Sequence, residues 1–401
     1  MKKGWELKTI GDYCLRTKNH KWADASAGTY KYIDLSSVCR DSLMIASSAS
    51  ISADNAPSRA KKIIAHGDVI FATTRPTLRR VAKVSSDYDF QICSTGFTVM
   101  RPESEKLDTS YLFYYIQTEF FMERMEKLQR GASYPAVTDT DVKGSKIPIP
   151  PLSEQEEIVE VLDTAFAAID QAKANIEQNI ANAKELFQSK LNQIFYQKGE
   201  GWVEKALISV TSFIDYRGRT PKKTETGIRL LTAKNVRMGY LKRDPEEFIA
   251  DADFADWMTR GIPRKGDVLF TTEAPLANVT LLDTDEKIAL AQRIITICPD
   301  RNILTGEYLS YCLQSKISQD RILEKGTGAT VTGIKSKLLK EIPISIAPIG
   351  RQESIIQQLD ALSESTNQLE SHYQSKLASL DELKKSILQK AFLGQLTGDH
   401  G

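Results

Sequence analysis

No run of apolar residues in this chain is long enough to cross a bilayer, and the start Met1-Lys2-Lys3-Gly4-Trp5-Glu6 has charges but no apolar core of a leader peptide. A cytoplasmic protein with no membrane partner is expected. Cysteine is sparse: Cys14, Cys39, Cys93, Cys298 and Cys312 form an odd, widely spaced set without a Cys-x-x-Cys pair, which argues for buried free thiols against a disulfide framework or a zinc site. The four histidines, His20, His66, His372 and His400, are scattered, so no metal ligands are nominated. Neither the P-loop nor the Rossmann glycine pattern occurs. The Asp/Asn-Pro-Pro-aromatic tetrapeptide of amino-methyltransferases is missing too, since Pro150-Pro151 follows isoleucine. No catalytic residue is nominated, and any catalysis is expected from another chain.

An excess of one charge is also lacking, with a net of +1 over 401 residues, but the total hides a split. Residues 1–150 carry 22 basic and 17 acidic side chains and 201–347 carry 22 and 19, whereas 151–200 carry 4 and 9 and 348–401 carry 5 and 7. Basic segments alternate with acidic ones. The former suit an anion, the latter a protein.

What is present is organised around residues 150–196. Ser153 followed by Glu156 reads as a capping box that starts a helix. Apolar residues then fall at Ile158, Leu162, Phe166, Ile169, Ala172, Ile176, Ile180, Ala183, Phe187, Leu191 and Ile194, a coiled-coil stripe that Gly199 ends. A second stripe runs through Ile355, Leu359, Leu362, Thr366, Leu369, Tyr373, Leu377, Leu380, Leu383, Leu388 and Phe392, and Gly394 closes it. A shift of 197 positions takes Gln155 to Gln352, Leu162 to Leu359, Leu186 to Leu383 and Phe195 to Phe392. The chain is an internal duplication.

Ahead of each stripe lie β-like segments in the same order: 30–35, 61–64, 67–71, 81–84 and 97–100 before the first, and 228–231, 266–270, 279–282 and 293–297 before the second. Each set is followed by one amphipathic helix, about 109–129 or 307–325, by a glycine loop, and by an Ile-Pro-Ile strand. The expected class is α+β: two duplicated domains joined by two long helices in an antiparallel coiled coil with an approximate two-fold. The expected boundaries are 1–151 and 199–348 for the domains, 152–198 and 349–394 for the helices, and a tail at 395–401. Some 45 residues of helix make a spacer roughly 65 Å long.

Two basic domains at fixed separation suit two half-sites on a DNA duplex. In the first, Thr74, Arg75, Arg79 and Arg80 follow a β-segment, where arginine forks onto guanine or clamps phosphate. Glu273 is taken as the equivalent of Arg75 in the second, suited to accept from a cytosine amino group. Arg217, Arg219, Thr220, Lys222 and Lys223 read as a phosphate-gripping loop; Lys234, Asn235, and the glycine-loop residues Ser133, Tyr134 and Thr330 complete the candidates.

These features together resemble the specificity (S) subunit of Type I restriction–modification systems over almost the whole chain. The resemblance rests on Pro-Pro-Leu-Ser-Glu-Gln-Glu at 150–156, Ala-Pro-Ile-Gly-Arg-Gln-Glu at 347–353, Gly-Asp-Val-(Ile/Leu)-Phe at 67 and 266, Arg-Gly-Arg-Thr-Pro at 217–221, Glu-Ala-Pro-Leu at 273–276 and the terminal Leu388–Gly394 segment. At the second start Gly350-Arg351 replaces Ser153-Glu154, a weaker cap. The resemblance implies two target recognition domains on an asymmetric bipartite site in double-stranded DNA. It implies two modification subunits docked on the helices, carrying S-adenosylmethionine, and restriction subunits using ATP and Mg, with no cofactor in this chain. Glu154, Gln155, Glu156, Glu157, Glu160, Gln352 and Glu353 are the expected contact with the modification subunits. Alternatives are a methylation-only complex, or a coiled-coil scaffold that spaces two protein-binding domains.

Overall fold

The computed structural model describes residues 2–22, 28–218, 220–328 and 332–396. The chain divides into two units, 1–176 with 375–401, and 177–374, so the division cuts both long helices near their middles. Each unit holds one globular domain and half of each helix.

In the first unit, an antiparallel sheet orders Cys14–Leu15, Phe97–Pro102, Val69–Ala72 and Val81–Lys83. A second sheet orders Ala49–Ile51, Tyr30–Ile33, Ile92–Ser94 and Ala60–Ile63, with its one parallel pair between Tyr30–Ile33 and Ile92–Ser94. Glu6–Thr9 pairs with the closing strand Lys146–Ile149. The second unit repeats this plan. Thr211–Asp215, Ile294–Pro299, Val268–Thr271 and Val279–Leu281 form the antiparallel sheet, Ile228–Leu231 lies parallel to Ile288–Leu290, and Val203–Ala206 pairs with Pro343–Ile346. The class is α+β, duplicated.

Where one helix per domain is expected, there are two. Thr109–Ile116 stops, and Thr118 caps a fresh helix Glu119–Leu128 through a bond from the Phe121 N–H. Gly306–Gln314 and Lys316–Glu324 break at Ser315, whose hydroxyl donates back to the Cys312 carbonyl at 2.6 Å and does not cap the second helix. A hydroxyl residue that can bond the local backbone gives the chain a second start, which apolar periodicity does not register.

The long helices run Leu152–Gln197 and Ile349–Phe392. Both start at a proline carbonyl: Pro151 accepts from Glu154 and Gln155 N–H, Pro348 from Arg351 and Gln352 N–H. Ser153 and Gly350 therefore lie inside the first turn, and neither is the cap. Gly394 ends the second helix at φ 74°, with the Gln395 N–H reaching back to the Lys390 carbonyl. In the first helix the left-handed residue is Lys198, at φ 50°, and not Gly199.

Within the first unit the two helices lie antiparallel, Lys384 pairing with Asp170 at 2.9 Å and Lys173 with Asp381. Within the second, Lys184 meets Glu370 at 2.7 Å, while Leu191, Phe195 and Leu359 are fully buried in its core. Each helix is pinned to its domain by repeated contacts. Tyr114 and Tyr311 donate to Asp163 and Asp360 on the helices, while the Tyr111 and Tyr308 hydroxyls donate to the Pro148 and Ser345 carbonyls of the closing strands just ahead of them, at 2.9 Å. The stripe departs from its expected course at Leu369 and Leu383, which are exposed. Near Leu383 the seam takes Lys384 instead, its Nζ 4.8 Å from the Phe166 ring centre.

Candidate nucleic-acid interface

The same backbone frame appears once in each unit, at the end of the strand that carries the Gly-Asp-Val motif. In the first unit the Thr73 N–H donates to the Gly96 carbonyl at 2.8 Å, and the Val137 N–H to the Thr73 carbonyl at 2.9 Å. In the second the Thr272 N–H donates to the Arg293 carbonyl at 3.1 Å, and the Ile334 N–H to the Thr272 carbonyl at 3.0 Å. The glycine loops close by reciprocal backbone bonds, Arg130 with Ala136 and Thr327 with Gly333. Bridges then tie Thr74 to Ala136 and Glu273 to Gly333. Thr74 and Glu273 are thus the equivalent pair.

This register corrects one expectation by a single residue: Arg75 corresponds to Ala274, and Glu273 does not replace it. Both Arg75 and Ala274 have φ 50°, and Arg79 and Ala277, the next such pair, have 53° and 69°. Left-handed backbone at two non-glycine positions is costly and persists only where the surroundings impose it. The left-handed residues at the two ends of the loop are held while its length and side chains differ, since the Ala72 N–H bonds the Arg80 carbonyl eight residues on and the Thr271 N–H the Asn278 carbonyl seven on.

In the first unit Arg75 is exposed and lies over Tyr134, its guanidinium carbon 4.7 Å from the ring centre. The Arg75 N–H donates to the Pro135 carbonyl at 2.7 Å, which ties the arginine loop to the glycine loop. Tyr134 is 70% exposed, and Ser133 is exposed beside it. Arg79 pairs with Glu119 at 2.6 Å, and the arginine holds that carboxyl below its usual range. Arg80 is half-buried and its Nη1 donates to the Leu35 carbonyl.

In the second unit a cleft of about 340 Å³ opens over the frame, lined by Arg217, Glu273, Gln292, Arg293 and Lys335 among others. Arg217 is bound to Asp215 at 2.7 Å, and its Nη1 donates to the Ile334 carbonyl at 3.4 Å. Burial pushes the Asp215 carboxyl up, but the Arg217 hydrogen bonds outweigh it and hold the group below its ordinary value. Glu273 pairs with Arg293 at 2.8 Å. Thr220, Lys222 and Lys234 are exposed away from this lining, and Lys223 is paired with Glu247 at 2.5 Å. Arg219 and Thr330 lie outside the described residues.

Three nominated residues are structural. Asn235 is 1% exposed: its amide oxygen accepts from Thr232, and its nitrogen donates to the Lys242 and Pro245 carbonyls. Gln155 and Gln352, expected on the partner surface, are fully buried. Gln155 accepts from the Asp108 N–H and donates to the Lys106 and Pro150 carbonyls; Gln352 accepts from the Thr305 N–H and donates to the Ile303 and Ala347 carbonyls. Both tie a helix start to its own domain. Glu154 is drawn in as well, to Lys2 at 2.8 Å and Trp5 Nε1 at 3.1 Å. Glu156, Glu160 and Glu353 are exposed and Glu157 partly so. Sequence reasoning missed Arg293, because a strand was expected from 293 and it begins at Ile294, and no local pattern marks its neighbour Gln292.

The family model of the Type I restriction modification DNA specificity domain matches residues 2–182 and again 200–379. The chain belongs to that family. It is a Type I specificity subunit with two recognition domains. It is 26% identical to the Type I restriction enzyme EcoKI specificity subunit of Escherichia coli K12, over 82% of this chain and 75% of that one. A chain from a structure of complex assembly and conformational transition of the type I R-M system superposes with a TM-score of 0.85 at 28% identity, covering 99% of both. The HsdS subunit of Thermoanaerobacter tengcongensis gives 0.63 at 28% identity, covering 99% of this chain and 98% of that one. Membership in the specificity subunits displaces the scaffold alternative. Among the described residues no helix is long and apolar enough to cross a membrane.

Proposed function

We propose that this specificity subunit binds an asymmetric bipartite site in double-stranded DNA, each recognition domain reading one half. The observation that carries the reading is the repeated loop frame with unlike side chains, Arg75 over Tyr134 in one unit and Glu273 with Arg293 in the other. One frame presented twice gives two half-sites; different side chains on it give different sequences. Modification subunits would bring S-adenosylmethionine and flip one adenine from each half-site into their own pockets, and restriction subunits would add ATP- and Mg-dependent cleavage. This chain would hold none of these cofactors and act in the cytoplasm. Exposed Glu156, Glu160 and Glu353, with Glu157, remain the acidic candidates for contact with the modification subunits.

Mapping N6-methyladenine in the source cell with and without this gene tests the reading. Loss of one bipartite motif supports it and supplies the target; an unchanged map in a cell expressing active modification subunits overturns it. Co-purification with an ATPase chain separates a restriction complex from a methylation-only one. In the same assay Arg75→Ala should alter or abolish reading of one half-site and leave the other intact. Equal loss at both halves would count against independent domains.

A further inference from the structure

The second domain carries an arginine that no local sequence signal marks as a reader. Arg293 stands where the first domain has Gly96, as the shared backbone bonds to Thr272 and Thr73 show. It is exposed and borders the cleft beside Gln292, just outside the strand that begins at Ile294. Glu273 meets it at 2.8 Å, and the closest approach is to Nε, not to the terminal nitrogens that fork onto O6 and N7 of guanine.

We infer that Arg293 is a base-reading arginine of the second domain and that Glu273 positions it, in place of contacting cytosine itself. The inference rests on the proposed DNA reading. Its physical ground is the partner carboxylate. A guanidinium matched by a carboxylate has little net charge with which to grip phosphate, and the carboxylate repels the backbone, so the pair is poorly suited to a phosphate contact. The donor geometry survives the pairing, and a side chain fixed before binding loses less freedom when it binds. Arg75 is held by other means: Tyr134 supports it through its ring face and leaves its charge unneutralised. Both domains thus present an arginine above one frame, from different strands and on different supports.

The test uses the full chain co-expressed with its modification subunits, selecting from duplexes randomised at every position, with affinity measured over a range of salt. Arg293→Ala and Arg293→Lys should each lose roughly 5- to 150-fold discrimination at one or two base pairs of a single half-site, with the other half unchanged. Lysine keeps the charge but not the fork, so Arg293→Lys should retain the salt dependence. Glu273→Gln should weaken discrimination at the same base pairs and steepen the dependence of log K on log salt by about 0.9, as the unpaired guanidinium turns to phosphate. Wild-type motifs in both Arg293 variants overturn the inference. So does a uniform loss of affinity with the motif intact, the mark of a phosphate contact, and so does loss of both halves in both variants. A wild-type complex that selects no bipartite motif overturns the functional reading, and this inference with it.

Discussion

Gln155 and Gln352 show how a polar residue can be structural at the point where a helix leaves its domain. Each is fully buried and spends its amide on three backbone groups of its own unit. Truncation to alanine strands those groups away from water, and with the lost packing should cost about 2–4 kcal/mol. Urea unfolding of Gln155→Ala should show this; a change below about 0.5 kcal/mol would mean that water takes over the amide's role. The phase of the helix already put Gln155 on the seam, three residues before Ile158 and seven before Leu162, yet its polarity suggested a surface. Asp215 gives a second test. Its carboxyl lies below the ordinary value of 3.8 in the folded chain, so its stabilising pairing with Arg217 is complete above that value and is lost as pH falls through the lower, folded one. Asp215→Asn should therefore be less stable than wild type at pH 7, and the difference should shrink below pH 3.8 in unfolding measured at each pH. A constant difference would assign the effect to packing.

At the scale of elements, the duplication was legible because each half must bury the same faces, but Ile92–Ser94, Thr211–Asp215 and Ile288–Leu290, too short or too polar to stand out as apolar runs, were not read as strands. The split helices were not legible either, because Thr118 and Ser315 act through local hydrogen bonds that leave the apolar period intact. The seam was overread for a different reason. Leu383 was assigned inside because the spacing allowed it, yet it is 46% exposed, and its repeat counterpart Leu186, which the first stripe passes over for Phe187, is 61% exposed. They are the same position of the repeat, one in each unit, so the duplicated exposure fits two copies of one partner. Leu186→Ala and Leu383→Ala should each change stability by less than about 0.5 kcal/mol, whereas Leu162→Ala, fully buried, should cost about 2–5 kcal/mol. Association with the modification subunits, followed by sedimentation, should weaken in the two exposed variants. Undiminished assembly in the double variant would remove these leucines from the partner surface.

For the whole molecule, the bases to be read are illegible in the sequence because readout depends on loop register, and a shift of one residue separates Arg75 from the equivalent first assigned to it. The spacing of the half-sites is more accessible, since both long helices continue without a break through the residues where the two units divide. Lys173 pairs with Asp381 within the first unit, so deleting 173–179 together with 375–381 removes the same length from each long helix, starting from paired residues. Seven residues of helix are about 10.5 Å, close to three base pairs of duplex. The deletion turns a helix by only about 20°, whereas three base pairs turn the duplex by about 100°, so the DNA must twist to meet both domains. The bases recognised in each half should stay the same, the unread gap should shorten by up to about three base pairs, and affinity should fall. A methylation map of cells carrying the deleted chain would show it. An unchanged gap with unchanged half-sites would mean that something other than these helices sets the distance.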